Sequence, residues 1–162
     1  MVGHDGMIGF PIILGEGRSL WRALVQMPGE VLALSADDLR AHGDALEGFR
    51  KLTARYALLM LRLTAQAAAC AAMHRVEERT ARALLRLQDE ADAPDLPITQ
   101  EFLALLLGVH RQTVTLAAGS LQRTGVIRYG RGHITILDRA GLEAAACECY
   151  EVMRRASERL FD

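Results

Sequence analysis

The hydrophobic pattern divides this chain into helical and strand-like stretches. From Phe49 the seam positions fall at Phe49, Leu52, Tyr56, Leu59, Leu63, Gln66, Cys70 and Met73, at alternating spacings of three and four. That spacing predicts a long helix over residues 46–74 with a heptad seam suited to a paired coil. Gln66 is its only polar member and a register-fixing residue type. The same seam would equally serve a helix buried on its own domain. Alanines at 65, 67, 68, 69, 71 and 72 allow close approach in either case. Before the seam, residues 1–45 mix glycine with β-forming residues in GMIGFPIILGEG and WRALVQMPGEVLAL, which reads as a few short strands and turns punctuated by Pro11 and Pro28-Gly29. So few strands make no independently stable sheet, and the segment reads as part of a larger β-domain. Ser35, with Asp38 three residues on, marks a short helix start.

After the seam, VEERTARALLRLQDEA predicts a second helix, which Pro94 and Pro97 separate from the next one. Thr99 stands at an N-cap before QEFLALLLG, and Gly108 ends that helix where a left-handed residue is needed. Arg111 to Arg123 predicts another helix. VIRY, the turn GRG and HITIL then predict a hairpin, and Asp138 caps one last helix with apolar positions from Leu142 to Leu160. The fold class expected is α+β, mainly α. Its domains are a β-rich part over 1–45, a dimerisation helix over 46–74 and a winged helix-turn-helix with a C-terminal helix over 75–162.

A helix-turn-helix needs a small residue where its helices cross, a glycine in the turn and apolar anchors on the inner face of the second helix. Ala104, Gly108 and Val114 meet those needs, and Ala117 and Leu121 continue the inner face. The outer face is then Arg111, Gln112, Thr115 and Leu116. Arg111 suits a bidentate pair with guanine and Gln112 one with adenine, while Thr99 and Thr113, near helix N-termini, suit phosphate.

Charge sharpens this picture. The chain has 19 basic and 20 acidic residues, yet none of the acids lies between Glu101 and Asp138. That window holds Arg111, Arg123, Arg128 and Arg131 with His110 and His133, so positive potential gathers on the module whose shape suits a duplex. Arg131, between Gly130 and Gly132, belongs to a hairpin tip fit to lie along a phosphate backbone, with His133 beside it.

Other chemistry is sparse. Tyr56 to Met73 is interrupted by Arg62, Thr64 and Gln66, which argues against a membrane span. No signal-peptide pattern opens the chain, so a cytoplasmic protein is expected. Three cysteines, Cys70, Cys147 and Cys149, do not make a disulfide framework. On the last helix the side chains of Cys147 and Cys149 diverge by about 200°, so no metal and no cofactor is assigned. His74 reads as a packing residue at a helix junction. Adjacent acids such as Asp37-Asp38, Glu77-Glu78 and Asp89-Glu90 read as solvated faces, and with no phosphate loop or nucleophile elbow an enzyme is not expected.

The order of elements, and the stretch TQEFLALLLGVHRQTVTLAAGSLQRTGVIRYGRGHITILDRAGLE above all, resembles the Crp/Fnr-type bacterial transcription regulators. The resemblance is strong over 74–150 and weaker over 1–73. It implies a homodimer on a pseudo-palindromic DNA site, with half-sites about 34–36 Å apart. Double-stranded DNA is the implied partner, and RNA polymerase is a further candidate. Arg111 and Gln112 fall on the family's base-reading positions and Thr113 on a phosphate contact. Leu116 stands where some members carry an arginine, and it suits a thymine methyl instead. By the same resemblance residues 1–45 correspond to the last part of a β-roll of the cyclic-nucleotide-binding kind, so the effector domain is expected to be shortened. Gly9 is followed by Phe10 rather than Glu, and Arg18-Ser19 stands in a shifted setting, so no response to cyclic AMP is expected. Neither the cysteine cluster of iron-sulfur sensors nor a haem-type histidine set is present. The alternative function is a non-catalytic coiled-coil module that pairs with another regulator.

Overall fold

The computed structural model describes residues 1–4, 6–130 and 132–160, which group into two compact units: 1–63 with the C-terminal residues from Ala156, and 64–155.

In the first unit, Ser35 caps helix α1 (Ala36–His42): its hydroxyl accepts from the Asp38 N–H at 3.0 Å, with Asp37 and Asp38 in the first turn and Arg40 and His42 in the last, matching the helix dipole. The long helix α2 (Glu47–Met73) forms over the predicted range, free of proline along its 27 residues. One face packs Tyr56 and Leu59 against Ala156 and Leu160, with Met7 and Phe10 closing the cluster. The Phe10 ring meets Tyr56 edge-on at 5.7 Å, and the Tyr56 hydroxyl donates to the Met7 carbonyl at 3.2 Å. The short strands expected in residues 1–34 do not form among the described residues, where a 3-10 turn at Phe10–Ile12 is the only regular element. Val25, Val31 and Leu32 are exposed in irregular chain. β-forming residues make a strand only beside a second strand that takes up their N–H and C=O groups, and this segment has no such neighbour.

The second unit is built on α3 (Val76–Ala91), which comes after the last turns of α2. Beyond it come strand β1 (Asp95–Leu96), α4 (Gln100–Leu107), α5 (Arg111–Arg123), strands β2 (Ile127–Gly130) and β3 (His133–Ile136), α6 (Arg139–Ala145) and α7 (Cys149–Glu158). The sheet is antiparallel in the order β1-β3-β2, with Ile127 opposite Ile136 and Gly130 opposite His133, as a hairpin wing requires. Its core joins Leu84, Leu85, Leu103, Val114, Leu121, Ile127, Ile134 and Leu142. Each such side chain contributes about 1.5–3 kcal/mol on burial.

The last helix departs from expectation. Instead of running on from Asp138, it breaks at Ala146, whose backbone is extended, and restarts at Cys149. No proline or glycine marks the joint. Packing explains it: Leu142 and Tyr150 on either side enter the main core, while Cys147 and Cys149 turn toward Cys70.

By length and hydropathy alone α2 is apolar enough to cross a membrane, its best 18-residue window having a mean hydropathy of 1.3. The polar residues Arg62, Thr64 and Gln66 argue against a span. Arg62 and Thr64 are exposed, and with the internal packing of Tyr56 and Leu59 they fit a helix with one buried face.

Candidate nucleic-acid interface

Helix α4 starts where Thr99 caps it, its hydroxyl accepting from the Phe102 N–H at 3.1 Å. It stops at Gly108, in the left-handed region with φ +64°, whose N–H returns to the carbonyls of Ala104 and Leu105. The chain bends by 108° between α4 and α5, inside the range of about 90–120° for a helix-turn-helix. Buried Arg79, from α3, donates to the Leu107 carbonyl and occupies one of the acceptors that a helix end leaves open. Ser120 donates to Glu77 at 2.6 Å, and Gln122 accepts from the Tyr129 N–H at 2.8 Å. These bonds fix α5 to α3 on one side and to the wing on the other.

Val114, Ala117, Ala118 and Leu121 bury the inner face of α5. On its other face Arg111, Gln112, Thr115 and Leu116 are exposed, Leu116 at 75%. A leucine so exposed, between polar neighbours on a fixed helix, has nothing in its own unit to pack against. Among the described residues no carboxylate pairs with the guanidinium groups of Arg111, Arg123 or Arg128, all exposed, so their charge is available to an anionic partner.

The sequence-predicted residues do not all keep their full hydrogen-bonding capacity. Thr115 donates its hydroxyl to Gln100 at 2.7 Å, with the Arg111 carbonyl also 3.0 Å away, so toward a base it offers only a lone pair or its methyl. Thr99 is committed as a cap. Thr113 is half-buried in the first turn of α5, and His133 is exposed on β3. The His133 ring crosses Gly130, where an added Cβ would lie 2.6 Å from it, so no other residue fits there without moving the ring. Arg131 lies outside the described residues.

The seam residues divide. Tyr56, Leu59 and Cys70 are buried within the chain, Phe49, Leu63 and Gln66 are half-buried, and Leu52 is exposed. The opposite face of α2 carries Ala54, Leu58, Leu61, Ala65, Ala68 and Ala72, again at alternating spacings of four and three, and all of it is exposed.

Sequence reasoning passes over Arg79 and Gln100, and it reads Glu77 and Asp89 as parts of solvated faces, whereas Glu77 is half-buried and accepts from Ser120 and Asp89 accepts from Arg139 and Tyr150; these roles depend on contacts from other helices. It also misses the buttress where Arg139 meets Asp89 at 2.8 Å and the Tyr150 hydroxyl reaches the same carboxylate at 3.0 Å. Burial, and then the bond to Asp89, pushes the Tyr150 phenol up to about 12. This network holds α6 and α7 to α3.

Residues 78–145 match the Crp-like helix-turn-helix domain family. The transcriptional regulator SdrP of Thermus thermophilus is 40% identical over 81 residues, which are 46% of this chain and 40% of that protein. A crystal structure of a CRP/FNR-family regulator from Thermus thermophilus superposes with a TM-score of 0.55 at 34% identity, over 57% of this chain and 51% of that one. FixK2 from Bradyrhizobium japonicum shares the fold, with a TM-score of 0.64 at 18% identity over 70% and 60% of the two chains. The chain thus spans about half the length of the regulators it matches.

Proposed function

We propose that this chain, a Crp/Fnr-type protein by its helix-turn-helix domain, is a DNA-binding transcription regulator that acts as a homodimer on a pseudo-palindromic site. The observation that carries the reading is the face of α5. It is held at 108° to α4, exposes Arg111, Gln112 and Leu116, and lies in a window without a single acid.

In this reading α5 enters the major groove. Arg111 pairs with guanine and Gln112 with adenine, each for about 1–3 kcal/mol of discrimination, and Leu116 touches a thymine methyl. Thr113, the α5 N-terminus, Arg123, Arg128, Arg131 and His133 serve the backbone. Thr115 contributes by holding Gln100 and the first turn of α5 in place.

The homodimer forms through α2. The face carrying Leu58 and Leu61 is the one free for it, because Tyr56 and Leu59 of the predicted seam are occupied inside the chain. Two protomers then present two α5 helices to successive major grooves. No cyclic-AMP response is part of the reading: Gly9 is followed by Phe10 rather than Glu, and Arg18 and Ser19 are exposed in irregular chain. The protein acts by binding and not by catalysis, in the cytoplasm, with RNA polymerase as a second partner.

Selection of bound sequences from a random duplex pool at moderate salt, read by mobility shift, tests the proposal. Enrichment of a two-fold-symmetric sequence with half-sites one helical turn apart is expected. Retention of DNA without any enriched sequence, or no retention, would overturn it, the second outcome favouring a module that binds other proteins.

A further inference from the structure

Four potential metal ligands converge in the second unit. Cys70 and His74 lie at the C-terminal end of α2, and Cys147 and Cys149 lie at the joint between α6 and α7. One ligand atom from each falls within 4.8 Å of all the others. The joint makes this possible. On one continuous helix Cys147 and Cys149 would point apart, but the extended backbone at Ala146 lets both sulfurs face Cys70.

Two of the ligand separations are those of a single tetrahedral ion. Metal–sulfur bonds of about 2.3 Å and a metal–nitrogen bond of about 2.0–2.1 Å place two thiolates about 3.8 Å apart and a thiolate about 3.6 Å from an imidazole nitrogen. Here Cys70 Sγ and Cys147 Sγ are 3.5 Å apart, and Cys149 Sγ is 3.6 Å from His74 Nδ1. A multi-iron cluster binds its thiolates to different irons and needs a wider spread than 4.8 Å.

The surroundings are arranged for the same task. His74 turns Nδ1 toward the sulfurs and Nε2 toward the Glu148 carboxylate, 3.1 Å away. A carboxylate behind the distal nitrogen is how ligating histidines are oriented. Gln66 donates its amide N–H to Cys149 Sγ at 3.0 Å, and the buried Nε of Arg82 has no hydrogen-bond partner. Three thiolates and a neutral imidazole around a divalent ion leave one negative charge, which Arg82 would balance. Cys147 and Glu148 also line an open cleft of about 320 Å³, which gives an ion a way in. A disulfide between Cys70 and Cys147 would use two of these groups and leave the His74–Glu148 pair and Gln66 without a purpose.

We propose that Cys70, His74, Cys147 and Cys149 form a tetrahedral site for one zinc-class divalent ion, clamping the end of α2 to the joint between α6 and α7. Of the ligand types available, three thiolates with one imidazole select zinc over harder divalent ions. The site is closed, with all four positions filled by the protein, so the ion holds structure rather than binding substrate.

Titration of the reduced, chelator-treated full chain with cobalt(II) tests this. One equivalent should bind with intense sulfur-to-cobalt charge-transfer absorption and tetrahedral ligand-field bands, and one equivalent of zinc should bleach both. Cys147→Ser should weaken the charge-transfer band and the affinity. Glu148→Gln alters an exposed side chain and leaves the fold in place, so it should keep the spectrum while loosening the ion about tenfold to a hundredfold. Binding of less than one equivalent by the reduced protein, a spectrum without thiolate bands, or affinity unchanged in both variants would overturn the proposal. So would a chain in which these thiols form only a Cys70–Cys147 disulfide and take up no cobalt when reduced.

Discussion

Arg111, Arg123 and Arg128 share a side-chain type and differ in what holds them. Arg111 opens α5, a helix pinned by Val114, Ser120 and Gln122, so its fork has a defined origin from which to meet a base edge. Arg128 is exposed on the wing strand β2 and reaches outward from a hairpin, a placement suited to phosphate. Phosphate contacts release counterions and base contacts set sequence. Arg128→Ala should therefore weaken binding to every duplex alike and reduce the slope of log affinity against log salt by about 0.9 per protomer. The measurement is a salt titration by fluorescence anisotropy on two unrelated duplexes. An unchanged slope would remove Arg128 from the backbone contacts. Thr115 shows the limit of reading single residues. As a polar residue on an exposed face it looks like a base reader, but its hydroxyl is committed to Gln100, and nothing near it in sequence signals that bond.

Among elements, α2 is the instructive case. The sequence carries two heptad stripes on this helix, on opposite faces, and periodicity cannot rank them because both satisfy it. The more conspicuous stripe holds the aromatic and leucine residues, and it packs inside the chain through Tyr56 and Leu59. The stripe of Ala54, Leu58, Leu61, Ala65, Ala68 and Ala72 remains exposed. Leu58→Glu with Leu61→Glu should convert dimer to monomer in sedimentation velocity without loss of helical circular dichroism, whereas Leu59→Glu should lower the thermal midpoint. A dimer surviving the double substitution would place the interface elsewhere. The helix-turn-helix is more legible, because its turn is local: Gly108 has to adopt a left-handed backbone, and Thr99 caps only the helix it begins. The N-terminal strands and the unbroken last helix are misread for the opposite reason. A strand depends on a partner strand, and the joint at Ala146 is set by the cores on either side of it; neither cause is written within the segment itself.

At the scale of the whole molecule, the proposed function depends on using a short α5 twice. One helix reads a few base pairs, and two copies related by a two-fold axis read a palindrome with the added binding energy of both. In that proposal the acid-free window acts as a local field within a nearly neutral chain, which would draw the module to DNA more than the rest. The most direct test of this account compares the sequences selected from a random duplex pool by the wild-type chain and by Arg111→Ala. The account predicts that the variant loses about 1–3 kcal/mol of specific affinity. Its preference should relax at a single base position, in both half-sites and symmetrically about the centre. Identical preferences for the two proteins, or a change in only one half of the site, would contradict it.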